Sequence, residues 1–143
     1  GLLTFREAPV LLKAFEKLQH APDVVIFDGQ GIAHPQGMGL ATHMGLWLGL
    51  PAIGCAKSRL VGEFEPPGRE RGASSILRHH GVPVGAVLRT RTGVKPVFVS
   101  PGHLISIEES LSIVLQAAPR YRLPEPVRLA HLYVNEARRH REG

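Results

Sequence analysis

Four apolar residues in a row, Val24-Val25-Ile26-Phe27, run directly into Asp28-Gly29-Gln30-Gly31. A strand that is wet on one face alternates apolar with polar residues. One that is apolar at every position is buried on both faces, which marks a central strand covered by helices. This strand stops on a carboxylate at the edge of a glycine-bearing loop. Side chains at the strand ends of an α/β sheet line the ligand crevice. The run therefore predicts a layered α/β domain and points to its own C-terminal end as the place to look for chemistry.

The flanking pattern agrees. Leu11, Leu12, Phe15 and Leu18 recur at helical spacing over Ala8 to His20, with Thr4 and Glu7 at capping-box spacing ahead of them. Residues 39–50 mix Gly, Leu, Ala, Met and Trp and predict a buried helix, and Ala52–Ala56 a short apolar strand running into Lys57. Residues 62–75 are rich in Gly, Pro, Ser and charge and predict a loop. Val84–Leu88 and Val97–Val99 predict strands, joined as a hairpin through Arg89-Thr-Arg-Thr-Gly93. Ser106 and Glu109 form a second capping box before a helix with Ile107, Leu111, Val114, Leu115 and Ala118 on one face. Pro126 is placed to start a last helix to about Arg139.

The 143 residues suffice for one hydrophobic core, so a single domain over 1–143 is expected. The one cysteine, Cys55, excludes an internal disulfide and a zinc site built from several thiolates. One thiol and no leader-like start lead to the expectation of a cytoplasmic protein. No apolar run reaches the ~18–20 residues of a membrane-spanning helix, so no membrane partner is expected. The net charge of +5 is unevenly spread: residues 57–95 hold eight Lys/Arg against three Asp/Glu, and residues 120–143 six against three. A basic stretch is either the footprint of polyanion binding or a solvated surface.

Several residues invite chemistry, each with a plainer reading beside it. Asp28 is a metal-binding carboxylate or an Asx cap on the amides of Gln30 or Gly31. Lys57, just past a strand, meets a phosphate or is merely solvated. Gly29-Gln30-Gly31 does not continue as a dinucleotide fingerprint, because His34 and Pro35 stand where the third glycine would be. The loop instead lets backbone approach a ligand closely. His34 and His103 sit in Gly/Pro loops, where functional residues concentrate. His79 and His80 adjoin a turn glycine and read as surface, and His131, among Leu129, Leu132 and Tyr133 of the last helix, reads as a core histidine.

Taken in order, the segments Gly1–Glu7, Pro22–Gly31 with Ala33-His34-Pro35, Ala41–Gly45, Ile53–Leu60, Phe98–His103 and Leu123–Arg128 with Ala130-His131 resemble the endonuclease V (deoxyinosine 3′-endonuclease) family across essentially the whole chain. The resemblance implies a ribonuclease-H-like mixed sheet flanked by helices. It also implies a DNA-repair endonuclease that hydrolyses the phosphodiester one linkage 3′ of a deaminated base. The metal implied is Mg²⁺, with Mn²⁺ as a substitute; the partners are deoxyinosine-containing DNA and inosine-containing RNA, bound by a monomer. Glu7 and Asp28 match the family's metal-binding catalytic carboxylates, and Lys57 and His131 its basic active-site residues. Leu3, Gly29, Gly31, His34, Gly54 and Leu60 fall on positions that hold the flipped-out base. The basic residues from 57 to 95 would track the phosphate backbone.

The family's Pro-Tyr-Ile-Pro wedge, and the hairpin with its first catalytic aspartate, have no counterpart before Gly1. The domain is therefore expected to be N-terminally incomplete, without its first strands and one of three carboxylates. Two rival readings follow: a truncated, non-catalytic module that binds inosine-containing nucleic acid, and a small-molecule α/β enzyme. The first would bind without cutting; the second would bind DNA with little dependence on salt.

Overall fold

The structure, a computed structural model, describes residues 24–124 and the strand backbone of 131–134. The expected helix over Ala8 to His20 and the Thr4/Glu7 cap lie outside the described residues. In chain order the elements are β1 (Val24–Phe27), α1 (Leu40–Leu48), β2 (Ala52–Ala56), β3 (Ser74–His79), β4 (Val82–Leu88), β5 (Val97–His103), α2 (Ile107–Ala117) and β6 (His131–Val134). They form a six-stranded mixed sheet in the order β3-β4-β5-β2-β1-β6. β3, β4, β5 and β2 pair antiparallel in succession, while β2, β1 and β6 run parallel.

β1 is buried at all four positions, as its composition demands. Successive strand residues point to opposite faces. Val25 and Phe27 accordingly pack with Leu40, Ala41 and Met44 of α1, and Val24 and Ile26 with Val114 and Ala117 of α2. One helix thus covers each face of the central strands. α2 begins at the expected capping box: Glu109 N–H donates to Ser106 Oγ at 3.0 Å, and Ser106 N–H donates to Glu109 Oε1 at 3.1 Å. No described helix is long and apolar enough to cross a membrane.

Three expectations need correction. The segment around His131 is a strand over His131–Val134, not part of a helix. β1 has two edges of main-chain N–H and C=O groups; β2 satisfies one, and the other, equally buried, is satisfied by β6. Second, the loop predicted over 62–75 ends early, because β3 starts at Ser74 and turns into β4 through His80 (φ 53°) and Gly81 (φ 78°). Two positive-φ residues in succession are the tight hairpin turn whose twist matches that of strands. Third, α1 buries only one side, leaving Leu46 and Trp47 about half exposed (51% and 55%).

Candidate functional site

Because β1 and β2 are parallel, their C-terminal ends lie side by side. The last paired residues are Phe27 and Gly54, and Asp28 follows immediately. Asp28 is buried, at 9% exposure. Its Oδ2 lies 3.9 Å from the Nζ of Lys57, whose side chain is half exposed. Cys55 belongs to the α2-side core, and continuing the strand alternation puts Asp28 and Lys57 on that same face. Two residues 29 positions apart thus meet because two parallel strands end together.

Asp28 also acts on Cys55. The thiol is fully buried, and its pKa is pushed up to about 12, first by burial and then by the Asp28 charge, against a smaller opposing effect of Arg122. A shift of that size cuts the thiolate fraction at mildly alkaline pH by roughly a thousandfold. Cys55 is therefore expected to resist a neutral alkylating reagent in the native protein and to react fully in denaturant, as read by intact mass. Native labelling at the denatured rate would contradict the burial.

The loop after Asp28 is held by hydrogen bonds of its main chain on three sides. Gly31 N–H donates to Ser100 Oγ at 2.7 Å, Ile32 N–H to the Pro101 carbonyl at 2.9 Å, and Gly39 N–H to the Gly31 carbonyl at 2.9 Å. Ala41 N–H, in the first turn of α1, donates to the Gln30 carbonyl at 3.1 Å. A Cβ on Gly31 would fall 2.2 Å from the Pro101 oxygen, and one on Gly54 would fall 2.5 Å from Gly31 N and 2.6 Å from the Gly29 oxygen. The space a side chain would need at Gly31 and Gly54 is thus filled by the protein's own main chain. These glycines let the loop lie flat against β2 and β5 beside Asp28. Ser100, buried in β5, is a site-shaping residue that sequence reasoning missed; a serine inside an apolar strand was the available signal.

His34 follows this loop, half-buried. Its Nδ1 accepts from Gln36 N–H at 3.1 Å, and its carbonyl accepts from Gly37 N–H at 2.8 Å. Burial, with the neighbouring His43 imidazole adding to it, holds its pKa below the ordinary histidine value. The ring is neutral at physiological pH, and with Nδ1 accepting, the proton sits on Nε2.

Two other described candidates are not brought to Asp28 by strand pairing. Leu60 is 53% exposed and lines a groove of about 860 Å³ between residues 59–65 and the β3 hairpin, a different stretch from the glycine loop. The backbone of His131 pairs with Val24, at the opposite end of β1 from Asp28, so strand pairing does not bring it to that carboxylate. Leu3 and Glu7 lie outside the described residues.

The basic residues divide as well. Arg71 donates to the carbonyls of Thr90, Leu115 and Ala118, and Arg89 to those of Pro67, Gly68 and Val94. Arg122 donates to the carbonyls of Lys57, Lys95 and Pro96. Arg71 and Arg89 spend donors inside the fold, so the expectation that the whole basic run from 57 to 95 tracks phosphates is too broad.

A family model described as Endonuclease V matches residues 1–132. Endonuclease V of Dictyoglomus turgidum is 55% identical over 133 residues, covering 93% of this chain and 58% of that protein. The crystal structure of endonuclease V from Streptomyces avermitilis superposes with a TM-score of 0.85 at 41% identity, over 99% of this chain and 60% of that one. A Ciona intestinalis endonuclease V, solved with a 23mer DNA containing an inosine followed by a ribo-adenosine, gives a TM-score of 0.70 at 26% identity, over 90% of this chain and 61% of that one. The fold shared with these neighbours is a ribonuclease-H-like mixed sheet with helices. The chain spans about three-fifths of the length of the relatives it matches.

Proposed function

We propose, from the premise that this chain belongs to the endonuclease V family, that the protein in which it sits is a Mg²⁺-dependent nuclease that cuts DNA one linkage 3′ of deoxyinosine. The observation that carries the reading is the Asp28 carboxylate, buried at the joint end of β1 and β2, facing the Lys57 ammonium beside a loop pressed flat by glycines.

The donor chemistry suits the metal. Among the described residues no group of three or more His, Cys, Asp or Glu converges. Mg²⁺ asks for less: one or two carboxylates, retained waters and the substrate's own phosphate oxygens. Asp28 supplies one such oxygen donor, and Glu7 is the proposed second. When bound, the ion would polarise a phosphoryl oxygen and lower the pKa of a coordinated water.

The protein's own groups take the remaining roles. The Lys57 side chain is half exposed and its Nζ stands 3.9 Å from the buried Asp28, so water screens the lysine end of the pair. Lys57 can therefore turn its ammonium from Asp28 to an incoming phosphate at little cost and stabilise the charge that builds there. His34, with Nδ1 occupied, presents an Nε2–H donor. Hypoxanthine carries a carbonyl oxygen where adenine carries an amino group, so this donor is satisfied by inosine and left facing a second donor by adenosine. A donor left facing a donor disfavours the adenosine analogue.

The test is an end-labelled duplex with one deoxyinosine, its deoxyadenosine control and a version with a ribonucleotide 3′ of the inosine, each with Mg²⁺ or EDTA. One product ending a linkage beyond the inosine, absent with EDTA and from the control, is the expected result. Equal cutting of the control, or cutting in EDTA, overturns the proposal. Inosine-dependent binding with no cutting in any arm identifies a binding module instead.

A further inference from the structure

We propose that Arg122 is a positioning residue: its guanidinium fixes the main chain at Lys57 and thereby places the Lys57 ammonium against Asp28. The inference builds on the nuclease reading above, but its first test does not depend on activity.

Lys57 stands where the sheet no longer holds it. The β2–β5 ladder ends at Ala56 paired with Phe98, one residue short of Lys57. Beyond that point Arg122 takes over: Nη2 donates to the Lys57 carbonyl at 2.6 Å and to the Pro96 carbonyl at 2.9 Å, and Nε donates to the Lys95 carbonyl at 2.8 Å. One planar group thus ties the run-out of β2 to the run-in of β5. Its charge is felt at Cys55, on the α2 side of the same strand.

Arg122 is itself anchored. Its carbonyl accepts from Thr90 Oγ1 at 2.6 Å, and Thr90 is fully buried. The clamp is therefore a fixed point to which the Lys57 main chain is fastened. Lys57 has four carbons between backbone and charge, and its side chain is half exposed. Little besides its backbone position confines the ammonium. A lysine at position 122 keeps the charge but lacks the planar fork that spans three carbonyls.

The experiment compares Arg122→Ala and Arg122→Lys with Arg71→Ala, an equally clamped arginine that does not touch Lys57. The chain has four lysines, so ¹³C-labelled lysine gives four Cε resonances, and the one lost in Lys57→Ala is that of Lys57. That resonance should move in both Arg122 variants toward its position in Asp28→Asn and stay put in Arg71→Ala, although all of them lose stability. If Arg122→Ala does not fold, Arg122→Lys carries the comparison. In the cleavage assay, Arg122→Ala should lower kcat by roughly 10- to 100-fold with KM nearly unchanged, the scale of a misplaced catalytic group. Added guanidinium should restore part of it, and the double variant with Lys57→Ala should be no worse than Lys57→Ala alone. A Lys57 resonance unmoved in a folded Arg122 variant, or losses that multiply in the double variant, overturns the proposal. If the parent protein cleaves nothing, the nuclease reading falls while the resonance still decides the role of Arg122.

Discussion

Gly31→Ala is expected to destabilise the domain by about 3 kcal/mol and to lower Tm by about 10 °C. The added Cβ would lie 2.2 Å from the Pro101 oxygen, 2.6 Å from the Pro101 carbonyl carbon and 2.8 Å from the Ser100 oxygen. All three atoms are main chain of β5, which is paired to β2 and cannot retreat like the end of a flexible side chain. Relief requires the loop to lift, which gives up the hydrogen bonds from Gly31 to Ser100 and from Ile32 to Pro101. Gly54→Ala pushes the same loop from the opposite side and should cost a similar amount. Gly37→Ala is the informative contrast: at φ 75° with nothing within 4 Å of the new atom, it adds only the backbone strain of a left-handed alanine, about 1 kcal/mol. Urea denaturation of the three variants checks the ranking. A Gly31→Ala protein as stable as Gly37→Ala would mean that the loop does not lie against β5.

Why these glycines matter was only half legible in the amino-acid sequence. Val24–Phe27 announced a doubly buried strand, and Asp28 and Lys57 stood at the ends of two apolar runs, so the meeting of their side chains followed once the strands were parallel. The Ser106/Glu109 cap and the β4–β5 hairpin were equally plain, since both rest on contacts between near neighbours. What escaped notice depends on distant partners. β3 begins inside the polar stretch read as a loop over 62–75: apart from a bridge between Arg78 and Glu63 it pairs only with β4, and Ser74 and Ser75 at its start carry no apolar signal. The residues around His131 have helical spacing, but β1 needs a second neighbour, and pairing overrides local preference. Counting charges placed Arg71 and Arg89 on a phosphate-binding surface. The structure uses them to satisfy carbonyls of loops and of the last turn of α2, a demand that arises only when distant parts of the sequence are brought together.

Asp28→Asn should reduce metal-dependent cleavage by about 10³-fold or more while leaving the fold intact. The two side chains have nearly the same shape, so packing at the end of β1 is preserved. The change removes a charge that burial penalises and also its attraction to the half-exposed Lys57, two effects of opposite sign, so stability should move by about 1 kcal/mol or less in either direction. Binding should separate from cutting. A neutral amide no longer repels the phosphate, and Lys57, released from its partner, is free to meet it. Affinity for a deoxyinosine oligonucleotide should therefore hold or rise, with a salt dependence at least as steep as that of the parent. The measurements are single-turnover cleavage in Mg²⁺ and fluorescence anisotropy in EDTA across a salt series. Cleavage within tenfold of the parent would remove Asp28 from the metal site. If cleavage and binding fell together in a folded protein, Asp28 would instead be holding the loop in shape, and the carboxylate that handles the metal would have to lie elsewhere.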